Sequence, residues 1–441
     1  MMKYFIALLF PLVLHSQKHY TDRMDQLMQA KFEVEGFSGT ALVMQKGEKV
    51  YHKAFGLADR EWNVPNTPET KYRIGSVTKQ FTAACILKLE EEGKLKITDK
   101  LSLYFPDFPK GDSITIHMLL NHSSGIKNYT SIPEFWPKAV LPLPPDSMVA
   151  VFKNKPFDFS PGSRWSYSNS GYYLLGLIVE KASGQKFHDF LQNWIIEPAG
   201  LKNTGMDRLD SILANRAKGY AWRPSGGWRH ADYISMEGPY SAGAMFSTVE
   251  DLYSWEKALM SNKILYPGSV VKMTTPYLGN YGYGLSIDSL HTHPRIWHNG
   301  GIPGFSAHLA HYPQDDLYIA VLSNNQSSAD RAGIGLASIL FDQAVYIPYL
   351  PKEIYVDPKL LDRYTGKYQG TNLIEIRREG NALFRHTENS PPIELKAESL
   401  SRFFYPDRSG RFLEFEFDTQ GRVSKTWFIQ NGEKTEMKKV E

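Results

Sequence analysis

At 441 residues the chain exceeds the usual size of a single domain, so one large domain with a small appendage is the expected arrangement. Hydrophobic residues make up 42% and charged residues 22%, which describes a globular chain and excludes a disordered or membrane-embedded one. A net charge of +3 with no long run of Lys or Arg argues against nucleic acid as a partner.

The chain opens MMKYFIALLFPLVLHSQKHY, with Lys3, an apolar run from Phe5 to Leu14 and a small residue at Ser16. This pattern reads as a secretory signal over residues 1–16, so a secreted or periplasmic protein is expected. The run is broken by Pro11 and falls short of the roughly 20 residues a spanning helix needs, so no stable membrane anchor is expected after cleavage. The single cysteine, Cys85, excludes an intramolecular disulfide framework and any multi-cysteine metal site.

KFEVEGFSGTALVMQKGEKVYHKAFGLAD alternates apolar and polar residues on both sides of a turn at Lys46 to Glu48 and predicts a β-hairpin. From Val77 to Glu92, Phe81, Ala84, Cys85 and Leu89 recur at helical spacing, Gly93 stops the run, and Cys85 falls on the apolar side. Further helical segments surround Ile116 to Leu120, Gly171 to Ala182, His188 to Ile196 and Val249 to Met260, the last opening with the capping-box pattern STVED. FSAHLAHYPQDDLYIAVLSN then reads as two strands joined by a Pro-Gln-Asp-Asp turn. Strands at both ends with helices between predict an α/β domain over residues 17–348, an antiparallel sheet flanked by helices with a mainly helical subdomain inserted. LIEIRREGNALFRH and FLEFEFDTQGRVSKTWFIQ, turning at Gly380 and Gly421, predict a small antiparallel β domain over residues 356–441.

Three short motifs carry candidate chemistry. Ser76-Val-Thr-Lys79 puts a hydroxyl and an amine on one helix face, and a lysine whose pKa is lowered by burial can deprotonate a serine. The spacing alone is common, recurring at Ser183/Lys186, Ser254/Lys257 and Ser269/Lys272. Ser76 differs in following Gly75 at a loop-to-helix entry, where its amide is an orphan donor able to bind an oxyanion. Tyr167-Ser168-Asn169 follows a Pro161-Gly162 turn and precedes a helix. Its phenol suits acid–base work and its amide suits hydrogen bonding to a substrate or to the lysine; a buried tyrosine beside an N-cap asparagine is the structural alternative. His298-Asn299-Gly300-Gly301 has paired glycines that let a backbone approach a ligand, with a glycine-rich turn into an edge strand as the alternative. Trp165 and Trp297 are candidates for a pocket wall or for core, and His117 and His122 read as structural. No metal or other cofactor is expected.

These motifs, in this order, resemble the serine β-lactamase and penicillin-binding-protein superfamily, in the branch of class C β-lactamases, D-stereospecific peptidases and esterases. The likeness extends through ITIHMLLNHSSGI, PGSRWSYSNSGYYLLGLIVEKASG, GPYSAGAMFSTVEDLYSW and HNGGIPGFSAHLAHYPQDDLYIAVLSN, and the tail from about residue 356 is similar to appended lipocalin-like β domains. The resemblance implies Ser76 as acylated nucleophile, Lys79 as its activator, Tyr167 as general base and Asn169 as a contact to substrate and lysine. It implies an oxyanion hole from the Ser76 and Gly301 amides. His298, Asn299 and Gly300 would form a third motif that contacts substrate or orients the Tyr167 proton. Class C β-lactamases have a lysine where His298 stands, so a permanent cation for an antibiotic carboxylate is missing here.

A secreted serine hydrolase acting through a Ser76 acyl-enzyme on an ester or D-peptide-type amide is the leading expectation. Alternatives are β-lactamase or D-alanyl-D-alanine carboxypeptidase activity, acyl transfer, or a non-catalytic penicillin-binding-like sensor. The absence of Gly-x-Ser-x-Gly and of His-Glu-x-x-His argues against an α/β-hydrolase and a zinc peptidase.

Overall fold

The computed structural model describes residues 10–440, apart from 224–225, 327–328, 389 and 408–409. The export segment read at residues 1–16 lies largely outside them, and helix α1, Phe10–Ala30, begins within that segment. Among the described residues no helix is long and apolar enough to cross a membrane.

The predicted hairpin is present as β1, Gly39–Gln45, and β2, Glu48–Phe55, but it begins later than the alternation suggested. Lys31–Glu35 forms a wide helical turn instead of strand. An i,i+4 ion pair of 3.1 Å between Lys31 and Glu35 ties that turn together, and Gly36 at φ 71° closes it in a conformation glycine adopts without strain. A local charge pair therefore outweighs an alternating pattern too short to specify a register.

Four later strands complete the sheet: β3, Ser286–Leu290; β4, His293–Ile302; β5, Phe305–Tyr312; and β6, Leu317–Ser323. The order is β3-β4-β5-β6-β1-β2, and the pairings are antiparallel. Segments far apart in the sequence thus meet at β1 and β6, where Gly39 faces Ser323 and Gln45 faces Leu317. Every residue of β6 is buried, as expected for an interior strand covered on both faces. Strand β3 reaches only as far as Trp297 on β4, so residues 298–302 have β5 on one side and an open edge on the other.

Helix α2, Thr78–Glu91, is buried over almost its whole circumference. Its polar residues are accommodated by partners distant in sequence. Thr82 donates to the Ser241 carbonyl at 2.6 Å, Thr78 accepts from the Met245 amide at 3.2 Å, and Gln80 accepts from the Trp255 indole at 3.0 Å. Phe81 stacks on Trp255 with ring centroids 4.2 Å apart. Helix α3, Asn169–Ser183, buries Tyr172, Leu174 and Ile178 in the same core, and helix α4, Val249–Met260, is capped by Thr248, whose hydroxyl accepts from the Asp251 amide at 3.2 Å.

The described chain divides into two compact units, one holding Phe37–Arg223 and Gly227–Gln343, the other Asp25–Gly36 and the residues from Ala344. In the second, eight antiparallel strands between Gly366 and Lys439 close into a barrel, with Tyr368 opposite Lys439 at the seam. Tyr364, Tyr368, Leu413 and Phe415 fill it. Gly380 and Gly421 take positive φ at two of its turns, where they were expected.

Candidate active site

The segment before Ser76 is pinned on both sides. Tyr72–Arg73 pairs with Met245–Ser247, and the Ile74 amide donates to the Met245 carbonyl at 3.0 Å. Arg73 donates to Asp207 at 2.6 Å, and Asp207 is buried and also held by Arg216. Gly75 then takes φ +52°, and Ser76 lies on the tight turn Gly75–Val77 that feeds α2, partly exposed.

The open edge of β4 presses directly on this turn. A Cβ on Gly75 would stand 2.8 Å from the Gly301 nitrogen, and one on Gly300 would stand 2.0 Å from the Ile74 carbonyl oxygen. The glycines thus bring the Gly301 amide beside the Ser76 turn. Gly301 itself has open space around its Cβ position. Gly300→Ala is therefore expected to destabilise the fold by the ~1–3 kcal/mol typical of overpacking and so to lower the melting temperature, while Gly301→Ala leaves it unchanged. Thermal unfolding of the two variants checks the contrast.

Lys79 is fully buried, and its amine touches three oxygens: Ser76 Oγ at 3.2 Å, Asn169 Oδ1 at 2.8 Å and the Ala242 carbonyl at 2.7 Å. Burial holds its pKa well below the usual lysine value, because no carboxylate is among the shifting influences. Asn169 Oδ1 and the Ala242 carbonyl can only accept, so they take two of the amine's hydrogens. In the neutral amine the lone pair is then left toward Ser76 Oγ.

The helix entry at Asn169 is stapled to the loop at residues 126–130. Ser168 donates to the Ile126 carbonyl at 3.1 Å, the Asn169 amide donates to Asn128 Oδ1 at 3.1 Å, and Ser170 donates to the Lys127 carbonyl at 2.7 Å. Asn169 Nδ2 donates to Thr130 at 3.3 Å, which fixes its Oδ1 toward Lys79. Ser168, not Asn169, occupies the cap position, so the asparagine is free for this contact.

Tyr167 lies beside the pair, its ring centroid 4.8 Å from Lys79 Nζ. Its phenol oxygen is buried and has no hydrogen-bond partner among the described residues. Burial pushes its pKa up, an effect the nearby Ser76 hydroxyl partly offsets. The ring rests against His122 at 4.3 Å, and His122 accepts the Ser168 amide on Nδ1 at 3.2 Å. His122 thus supports Tyr167, while His117 bonds Tyr283 at 2.6 Å.

His298 is held by two neighbours. Its Nδ1 lies 2.6 Å from the Asn299 carbonyl and its Nε2 lies 2.8 Å from the Tyr281 phenol, so both ring nitrogens are occupied and neither bonds Tyr167. Burial, reinforced by Lys79, pulls its pKa down to about 4, which leaves the ring neutral near pH 7. Asn299 is exposed, and with Gly300 and Gly301 it lines a cavity of about 600 Å³ also bounded by Trp136, Arg229 and Asp330. Trp165 packs over Gly279, where a Cβ would stand 2.5 Å from its ring, whereas the Trp297 indole nitrogen is buried and Arg295 lies 4.3 Å from the ring.

Ser76, Lys79, Tyr167 and Asn169 therefore share one cluster, with Gly301 at its edge. Sequence reasoning missed Tyr281, Thr130 and the Ala242 carbonyl. For Tyr281 a signal existed in YGYGL, whose glycines allow close approach: Cβ atoms on Gly282 and Gly284 would meet the Met273 oxygen at 2.2 Å and the Lys79 backbone at 2.7 Å.

A family model described as Beta-lactamase matches residues 24–341. Among curated proteins, the putative penicillin-binding protein PbpX of Bacillus subtilis (strain 168) is 32% identical over 297 residues, covering 67% of this chain and 72% of that protein. The D-aminopeptidase of Gluconobacter oxydans (strain 621H) is 24% identical over 341 residues, covering 74% of this chain and 62% of that protein. Among solved structures, the octameric penicillin-binding protein homologue from Pyrococcus abyssi matches with a TM-score of 0.69 at 26% identity, over 95% of this chain and 99% of that one.

Proposed function

The chain belongs to the beta-lactamase family, a family of serine hydrolases, and we propose that it hydrolyses an ester or a D-peptide-type amide through an acyl-enzyme on Ser76. The observation that carries this reading is the buried Lys79 amine, held by two obligate acceptors with its remaining position on Ser76 Oγ.

In the proposed first half-reaction neutral Lys79 takes the Ser76 proton as Oγ bonds the substrate carbonyl carbon. The carbonyl oxygen becomes an oxyanion held by the Ser76 and Gly301 amides, an arrangement in which each donor is typically worth ~3–4 kcal/mol of transition-state stabilisation. Tyr167, whose raised pKa keeps it a phenol, gives its proton to the leaving nitrogen or oxygen as that bond breaks, and recovers one from the Lys79 ammonium. In the second half-reaction water attacks the ester carbon as the Lys79–Tyr167 pair takes its proton; the C–Oγ bond then breaks, that proton returns to Oγ, and the product acid and free Ser76 hydroxyl are released. In this reading Tyr167 relays protons and Lys79 is the base.

Two features bear on the substrate. A neutral His298 supplies no cation for a carboxylate, which favours esters and amides over classical antibiotics. The adjoining cavity, about 600 Å³, is large enough for a dipeptide-sized group, and a relative named a D-aminopeptidase supports the amide side of the reading. The signal-like residues 1–16 support the further proposal that the protein acts outside the cytoplasm.

Mass spectrometry of the intact protein after exposure to a fluorophosphonate tests the mechanism. One adduct mapping to Ser76 is expected, and an unmodified or differently modified chain overturns the reading.

A further inference from the structure

Outside the groups that touch substrate, the open edge of β4 poses its own problem. Residues 298–302 lack the neighbour that β3 provides up to Trp297, so their outer backbone groups are not held by a sheet ladder. An oxyanion donor works only when its position is set before the reaction.

The structure supplies a chain of hydrogen bonds in place of the missing strand. The Asn299 carbonyl can only accept, so the His298 nitrogen 2.6 Å from it, Nδ1, carries the ring hydrogen. Nε2 then has a lone pair, and the Tyr281 phenol 2.8 Å away donates to it. Tyr281 is buried and comes from the loop whose glycines press on Met273 and on the Lys79 backbone, so its position is tied to α2. The chain runs from the helix that carries Lys79, through Tyr281 and His298, to the carbonyl two residues before Gly301.

We propose that Tyr281 is a positioning residue for the oxyanion hole: its phenol fixes the His298 tautomer, and His298 anchors the Asn299 carbonyl so that the Gly301 amide is held beside Ser76. His298 then acts through Nδ1 on the backbone, and neither transfers a proton nor binds the substrate. This rests on the reading of Ser76 as the acylated group.

The test compares substitutions that keep one ring nitrogen or the other. His298→Asn places an amide donor near the position of Nδ1, able to reach the Asn299 carbonyl. His298→Gln extends its amide toward the position of Nε2 and Tyr281. With a p-nitrophenyl ester as substrate, His298→Asn is expected to retain a kcat at least about tenfold above that of His298→Gln, the equivalent of one net hydrogen bond. Tyr281→Phe, which preserves ring packing, is expected to lower kcat about tenfold with KM within about twofold, the signature of an interaction felt in the transition state. A His298→Gln kcat equal to or above that of His298→Asn overturns the proposal, as does a Tyr281→Phe kcat equal to wild type. Thermal unfolding of each variant accompanies the kinetics, and if one fails to fold the other comparison decides. Wild-type labelling at Ser76 separates this outcome from failure of the acyl-enzyme reading, which would remove the label altogether.

Discussion

Ser76→Ala lowers kcat by about 10⁴-fold or more, because loss of an acylated nucleophile leaves only the binding and oxyanion contributions. The fold is expected to survive. Ser76 Oγ lies 3.2 Å from Lys79 Nζ, and the Gly75–Val77 turn has no side-chain cap, so losing the hydroxyl is expected to change stability by about 1 kcal/mol. Turnover of an activated ester and thermal unfolding, measured on the same preparation, check both halves. A variant that unfolds with its activity would mean that the serine is structural. Retained turnover would place the nucleophile elsewhere.

Lys79→Arg and Lys79→Met are both expected to lower kcat by about 10³-fold, within the range for loss of a general base. The pair separates two roles. Arginine keeps a positive charge and several donors but remains protonated, so it rescues a lysine that acts as a cation and fails to rescue one that acts through a lone pair. Equal losses therefore identify the base. The wild-type pH profile adds the sign: burial favours neutral Lys79, so activity is present above its lowered pKa and falls as the pH drops through it. An arginine variant within tenfold of wild type would overturn the assignment.

Several elements of this fold were legible because their signals are local. Thr248 four positions ahead of Leu252, with Asp251 between them, announces a cap that the structure keeps. The two apolar runs that became β5 and β6, split by a Pro-Gln-Asp-Asp turn, specify strands within a few residues. The same kind of reading misplaced Lys31–Glu35, where alternation over five residues competed with an ion pair that favours a helical turn.

The candidate site divides in the same way. The identities of Ser76, Lys79, Tyr167, Asn169 and Gly301 were available from three motifs and their order. Their chemistry was not, because it depends on partners distant along the chain: Asn169 is 90 residues from Lys79, and Ala242 is 163. That the His298 nitrogens lie on the Tyr281 phenol and the Asn299 carbonyl was likewise not legible from the motif.

By itself, then, the sequence determined the succession of hairpin, helices, sheet and terminal β unit, and the residue types available for acyl transfer. Periodicity, caps and turn glycines act over a few residues and are written where they act. Only the tertiary structure decided which of those residues are buried, which are supports and which gather around Ser76. Those properties follow from desolvation and hydrogen-bond geometry, and both exist only once distant segments have packed together.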